Sequence, residues 1–103
     1  MQNKVKEFND NMPCHKEPMP THARVLDIVS EVGELSKEVL KGSKYGTQNF
    51  EISDDFVLEY GDVLYSMLSL ATELGIDAEE ALDKVLDKYN NRIKNNNRMD
   101  SGR

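Results

Sequence analysis

Apolar residues recur at helical spacing along most of the chain, and no stretch alternates as a half-buried strand would. Residues 2–9 read as a short helix carrying Val5 and Phe8. Pro13, Pro18 and Pro20 mark a loop from Asn11 to Pro20. A second helix opens near Thr21, a plausible N-cap, and places Val25, Ile28, Val32, Leu35 and Val39 on one face. It ends over Gly42 to Gly46, and a linker carries Tyr45, Gly46 and Phe50. Ser53 is positioned to cap a third helix that runs to Leu74, with Gly75 just past its end. Phe56, Tyr60, Val63, Leu64, Met67, Leu70, Ala71 and Leu74 give it a broad apolar surface. Asp77 opens a fourth helix with Glu80 as its capping-box partner, and Ala81, Leu82, Val85, Leu86, Tyr89 and Ile93 line its face. The pattern predicts an all-α fold of about four helices in a single domain over residues 1–94. The polar run from Asn95 to Arg103 reads as a flexible tail.

Composition changes this picture in one respect. With 103 residues, 38% hydrophobic and 31% charged, the chain is lean for a self-sufficient globule. Completion of the core by oligomerisation, as a dimer or tetramer, is therefore expected. No apolar run reaches the ~20 residues of a membrane helix, and Met1 to Asp10 lacks a signal-peptide core. The lone Cys14 makes no internal disulfide, and no Cys/His cluster exists for structural zinc. A cytoplasmic protein is the expectation. A net charge of −6 and the lack of a dense basic patch argue against duplex nucleic acid as a partner.

The second and third helices echo each other at an offset of 28 residues. Asp27 falls on Asp55, Glu31 on Glu59, Gly33 on Gly61 and Glu34 on Asp62; Ile28, Leu35 and Val39 fall on Phe56, Val63 and Met67. At about 100° per residue, Asp55, Glu59, Asp62, Ser66 and Glu73 share one stripe flanked by apolar residues. Carboxylates so placed point into a bundle or a subunit interface and need cations there. In the second helix Asp27, Glu31, Glu34 and Glu38 line a face away from the apolar centre, which taken alone also reads as a solvated acidic surface. Antiparallel packing would set Glu31 and Glu34 opposite Glu59 and Asp62. Gly33 and Gly61, between the acids, leave room for a close helix, a ligand or a hydrated ion.

Oxygen-only ligands select hard cations, so Mg²⁺ or Mn²⁺ is the expected ion. A di-iron centre would need Glu-x-x-His pairs, and neither His15 nor His22 follows a glutamate at that spacing. Mg²⁺ commonly brings substrate phosphates with it. Lys84, Lys88 and Arg92 form a basic stripe on the fourth helix. A surface Glu80–Lys84 pair and the helix dipole account for part of it equally well.

Glu31-x-x-Glu34 followed by Glu59-x-x-Asp62, within Glu31-Val-Gly-Glu-Leu and Glu59-Tyr-Gly-Asp-Val-Leu-Tyr, resembles the signature of the MazG-like nucleotide pyrophosphohydrolases. Leu74-Gly-Ile-Asp-Ala-Glu-Glu-Ala-Leu and Lys88-Tyr-Asn-Asn-Arg92 extend the similarity over about Arg24 to Arg92. The resemblance implies hydrolysis of a nucleoside triphosphate to the monophosphate and pyrophosphate. It implies Mg²⁺ on Glu31, Glu34, Glu59 and Asp62, water activation by a carboxylate such as Glu34, and phosphate contacts from Lys37, Lys88 and Arg92. It also implies a homodimer or homotetramer. Many relatives carry a further glutamate where this chain has Ser30. Phe8, the proline-rich loop, Tyr45 and Phe50 are candidates for the base pocket. A phosphoribosyl-ATP pyrophosphohydrolase and a non-catalytic helical interaction module are the alternatives.

Overall fold

The computed structural model describes residues 1–12 and 19–96. Pro13, Cys14, His15 and Pro18, and the run from Asn97 to Arg103, lie outside the described residues. The chain forms four helices: α1 (Gln2–Asp10), α2 (Thr21–Gly42), α3 (Asp54–Glu73) and α4 (Ala78–Asn96). Asn95 and Asn96 thus belong to the last helix rather than to a tail. No strand occurs among the described residues.

The helix ends follow local chemistry. Pro20, not Thr21, occupies the N-cap of α2. A proline fits there because its fixed φ is compatible and it has no N–H to leave unpaired. At the start of α3 the Phe56 N–H donates to Ser53 Oγ at 3.1 Å, and Asp54 and Asp55 set negative charge against the helix dipole. Gly75 adopts φ +71° after α3, which lets the Ile76 N–H reach the Ala71 carbonyl at 2.8 Å. The Glu80 N–H donates to Asp77 Oδ1 at 3.1 Å, as the sequence pattern predicts. A second acceptor at this helix start was not foreseen: Gln2 Oε1, from α1, takes the Ala78 N–H at 2.8 Å.

α2 and α3 pack antiparallel as the central pair. Arg24 at the start of α2 meets Glu73 at the end of α3, and Lys41 near the end of α2 lies within electrostatic reach of Asp55 at the start of α3. α1 rests on α3 through polar contacts. Asn9 Nδ2 donates to Ser69 Oγ at 3.1 Å, the Tyr65 hydroxyl donates to Asn9 Oδ1, and Phe8 meets the Tyr65 ring edge-on at 6.1 Å. Gln2 Nε2 also reaches the Ile76 carbonyl at 2.7 Å.

The interior differs from the expectation. Of the apolar surface expected on α3, Ala71 is buried, Phe56, Val63, Leu64 and Leu70 are half-buried, and Tyr60, Met67 and Leu74 are exposed, while Ser66, Leu68 and Ser69 are buried as well. Ser69 accepts a hydrogen bond from Asn9, so this part of the small-residue surface faces α1. In α2, Arg24 and Glu38 are buried and Glu31 half-buried, while Val25, Val32 and Val39 are exposed. Of the acidic face of α2, Glu38 is thus buried and Asp27 and Glu31 half-buried, while Glu34 stays exposed. Leu68 and Ala71 are the only buried hydrophobic residues among those described. α4 packs little against the central pair. Its first turn borders an open groove of about 780 Å³ with Met1, Leu64, Met67 and Leu68, and Leu82, Leu86 and Ile93 remain exposed.

Candidate metal and phosphate site

Antiparallel pairing of two helices that carry the same acidic phrase brings their acids together. One oxygen from each of Glu31, Glu59 and Asp62 can be chosen so that all three lie within 4.8 Å of one another. Two ligands on opposite sides of a hard cation, with bonds of about 2.1–2.5 Å, stand about 4–5 Å apart. The three carboxylates therefore have the spacing to hold one such ion, and their oxygen-only character suits Mg²⁺ or Mn²⁺.

The electrostatics are repulsive. α2 and α3 together carry nine carboxylates and three basic side chains. Each base engages another acid: Arg24 pairs with Glu73, Lys37 with Glu34 at 3.4 Å and Lys41 with Glu38 at 3.1 Å. Glu31 is held above the ordinary carboxylate range by desolvation first, then by the charges of Asp62, Asp27, Glu59 and Glu34. Glu59 is raised by desolvation, then by Asp62, Glu34, Glu38 and Asp55. Crowded acids of this kind gain when a divalent cation replaces their mutual repulsion with attraction.

Of the residues expected at the site, Glu31, Glu59 and Asp62 converge. Glu34 lies at the edge. It is exposed, hydrogen-bonds Lys37, and acts on Glu31 and Glu59 only through its charge. Lys37 is also exposed. Lys88 and Arg92 lie on α4, Lys88 exposed and Arg92 half-buried, and the three-oxygen cluster draws on α2 and α3 alone. A Cβ at Gly33 or Gly61 would meet open space, so neither glycine admits a close helix within the chain. His22 is exposed at the start of α2. Sequence reasoning undervalued Glu38, a buried acid beside Glu59. Its place two turns after Glu31 on the same face was the signal.

Comparison with known proteins assigns the chain to a family. The profile of the MazG nucleotide pyrophosphohydrolase domain matches residues 21–96, which span α2, α3 and α4. The chain belongs to that family. It is 37% identical over 75 residues to the uncharacterised protein YpjD of Bacillus subtilis strain 168. That match covers 70% of this chain and 66% of YpjD, just under two thirds of the relative's length. The crystal structure of B. subtilis YpjD, described there as a candidate pyrophosphatase, superposes with a TM-score of 0.70 at 30% identity. The superposition covers 86% of this chain and 90% of that one. Among the described residues no helix is long and apolar enough to cross a membrane.

Proposed function

We propose that this protein is a Mg²⁺- or Mn²⁺-dependent nucleoside triphosphate pyrophosphohydrolase that releases pyrophosphate and a nucleoside monophosphate. The convergence of Glu31, Glu59 and Asp62 from two helices, inside the stretch that matches the family domain, carries this reading. These three would hold the divalent ion. When bound, such an ion neutralises phosphate oxygens and lowers the proton affinity of water. Glu34, at the rim, is placed to orient the attacking water and accept its proton. Its ordinary task in the absence of substrate is the contact with Lys37. Lys37, Lys88 and Arg92 are the candidates for contact with the phosphate chain. Water attack breaks the α–β phosphoanhydride bond, and the displaced pyrophosphate leaves with the charge.

The same reading includes a second copy of the chain. Two buried apolar side chains among the described residues do not provide the interior of a stable domain, and Leu82, Leu86 and Ile93 on α4 lie exposed, as do Met67 and Leu74. Pairing of copies through α4 buries these side chains.

The test is pyrophosphate release from a panel of ribo- and deoxyribonucleoside triphosphates, with Mg²⁺ or with EDTA, for wild type, Glu59→Gln and Asp62→Asn. Metal-dependent release lost in both variants is expected. Hydrolysis of phosphoribosyl-ATP alone would select that substrate instead. Inactivity on every nucleotide, with metal leaving the melting temperature unchanged, would point to a non-catalytic helical module.

A further inference from the structure

Helical serines and threonines commonly turn the hydroxyl back to the carbonyl four residues earlier. Thr72 Oγ1 donates to the Leu68 carbonyl in this way at 2.9 Å, and Ser36 Oγ to the Val32 carbonyl at 3.0 Å. Ser69, fully buried, accepts from the Asn9 amide. Ser66 departs from this habit. It is 4% exposed, yet among the described residues its hydroxyl has no hydrogen-bond partner. Every fully enclosed side-chain oxygen or nitrogen among those residues is paired, so the Ser66 Oγ borders an opening and is not sealed in packed core. Alanine would fill the same space without an idle polar group.

The helix fixes where that hydroxyl points. Ser66 stands seven residues after Glu59 and seven before Glu73. Seven residues make nearly two whole turns, so the three share one line along α3. Both ends of the line face α2: Glu73 meets Arg24 at 3.1 Å, and Glu59 joins Glu31 in the three-carboxylate cluster. Ser66, between them, faces α2 as well. Seven residues inward from Arg24 and Glu73 on the two antiparallel helices, about 10 Å, bring Glu31 and Ser66 to one level. Asp62 lies four residues before Ser66, a spacing that sets Cβ atoms about 5–6 Å apart. Helical side chains lean toward the N-terminus, which carries the Ser66 hydroxyl toward Asp62 and away from Glu73. Ionised carboxylates only accept hydrogen bonds. Ser66, between Glu31 and Asp62, can donate one and accept another.

Resting on the divalent-ion reading above, we propose that Ser66 is a positioning residue of the cation site: its hydroxyl donates to a carboxylate of the cluster and accepts from water that the ion carries. Mg²⁺ gives up its water reluctantly and is held through few carboxylates, so three protein oxygens leave room for such water. Groups that orient the ligands of a metal ion typically change its affinity by about 10–100-fold. The hydroxyl thus has its use with the ion in place, which accounts for its idleness in the chain alone.

Ser66→Ala and Ser69→Ala remove two neighbouring buried hydroxyls of α3 and separate a role toward the ion from a role in packing. Melting temperature is measured in EDTA, Kd for Mg²⁺ and for Mn²⁺ by calorimetry on the full chain, and pyrophosphate release alongside. Ser66→Ala should melt in EDTA at or above the wild-type temperature, because it discards an unpaired hydroxyl. Its Kd for either ion should rise roughly tenfold. Ser69→Ala should do the reverse, with a lower melting temperature, because Asn9 loses its acceptor, and unchanged metal affinity. The proposal is overturned if Ser66→Ala binds both ions as wild type does, if it melts lower in EDTA as Ser69→Ala does, or if Ser69→Ala loses metal affinity equally. Wild type that binds metal but hydrolyses no nucleotide defeats the hydrolase reading alone and leaves this comparison intact. Wild type that binds neither ion defeats the cation site and this proposal together.

Discussion

Arg24 and Glu73, 49 residues apart, close one end of the α2–α3 pair through two contacts: Nη2 to Oε2 at 3.1 Å and Nε to Oε1 at 3.4 Å. Both side chains are largely withdrawn from water, 9% and 17% exposed. Farther along the same seam Glu31 meets Glu59 and Asp62 with acids on both sides. One seam therefore holds a matched ion pair at one end and an unmatched acidic cluster within it. The first fixes the register that the second requires.

Removing one partner of that pair leaves the other charge in a poorly hydrated place. Arg24→Ala is expected to cost about 2–4 kcal/mol of stability, read as a lower midpoint in urea unfolding. Because register is lost with it, the metal-induced rise in melting temperature should shrink too. An unchanged midpoint would mean that the pair does not hold the two helices.

The raised carboxyls give a pH dependence with a definite sign. Glu31 and Glu59 hold protons more strongly in the folded chain than their ordinary value of 4.5. Between that value and the raised one, the folded state binds more protons than the unfolded state. Stability without metal should therefore fall as pH rises through this window and level off above it. Glu59→Gln removes one of the repelling charges, so without metal it should melt at a higher temperature than wild type near pH 7. Thermal melts across pH 4 to 8 in EDTA would show the trend, and a Glu59→Gln protein less stable than wild type would contradict it.

Metal should reverse that penalty. A ligand present at about a hundred times its Kd stabilises the state it binds by about 2.7 kcal/mol. For a domain of this size, a Tm rise of roughly 10 °C follows. Mg²⁺ or Mn²⁺ titration should produce this rise in wild type but not in Asp62→Asn. Calorimetry should also detect proton release on binding at mildly acidic pH, because the ion favours the ionised carboxylates.

The exposed α4 face predicts self-association. Leu86→Glu places a charge in the middle of it, where Leu86 is 46% exposed in the single chain. Sedimentation should show wild type as a dimer or tetramer and Leu86→Glu as a smaller species with a lower Tm. A monomeric wild type would leave these apolar residues unexplained.

Much of the fold was legible in local chemistry. The helical spacing of Phe56, Val63, Leu70 and Leu74, the cap at Ser53 and the breaker at Gly75 act within a few residues of chain, so their outcome depends little on what packs nearby. The repeated acid–apolar–glycine–acid phrase likewise marked Glu31, Glu59 and Asp62, and antiparallel packing in the register that Arg24 and Glu73 close sets them opposite one another. Which side of each helix would face inward was not legible. An amphipathic pattern names an apolar side, but the chain buries Ser66 and Ser69 and leaves Tyr60, Met67 and Leu82 exposed. The apolar count cannot say whether such a side meets its own chain or another copy.

Sequence by itself determined the all-α class, the helix limits to within a few residues, and the paired acidic phrases on α2 and α3. Tertiary structure decided that Glu34 sits at the rim while Glu38 is buried, that Arg24 finds Glu73, and that α4 stands away from the central pair. It also decided that Tyr45 is held in a left-handed turn just after α2. Residues within a turn or two are coupled by the backbone itself. The rotation of one helix against another is set by many weak side-chain contacts summed over distant parts of the chain, and no single window of sequence contains that sum.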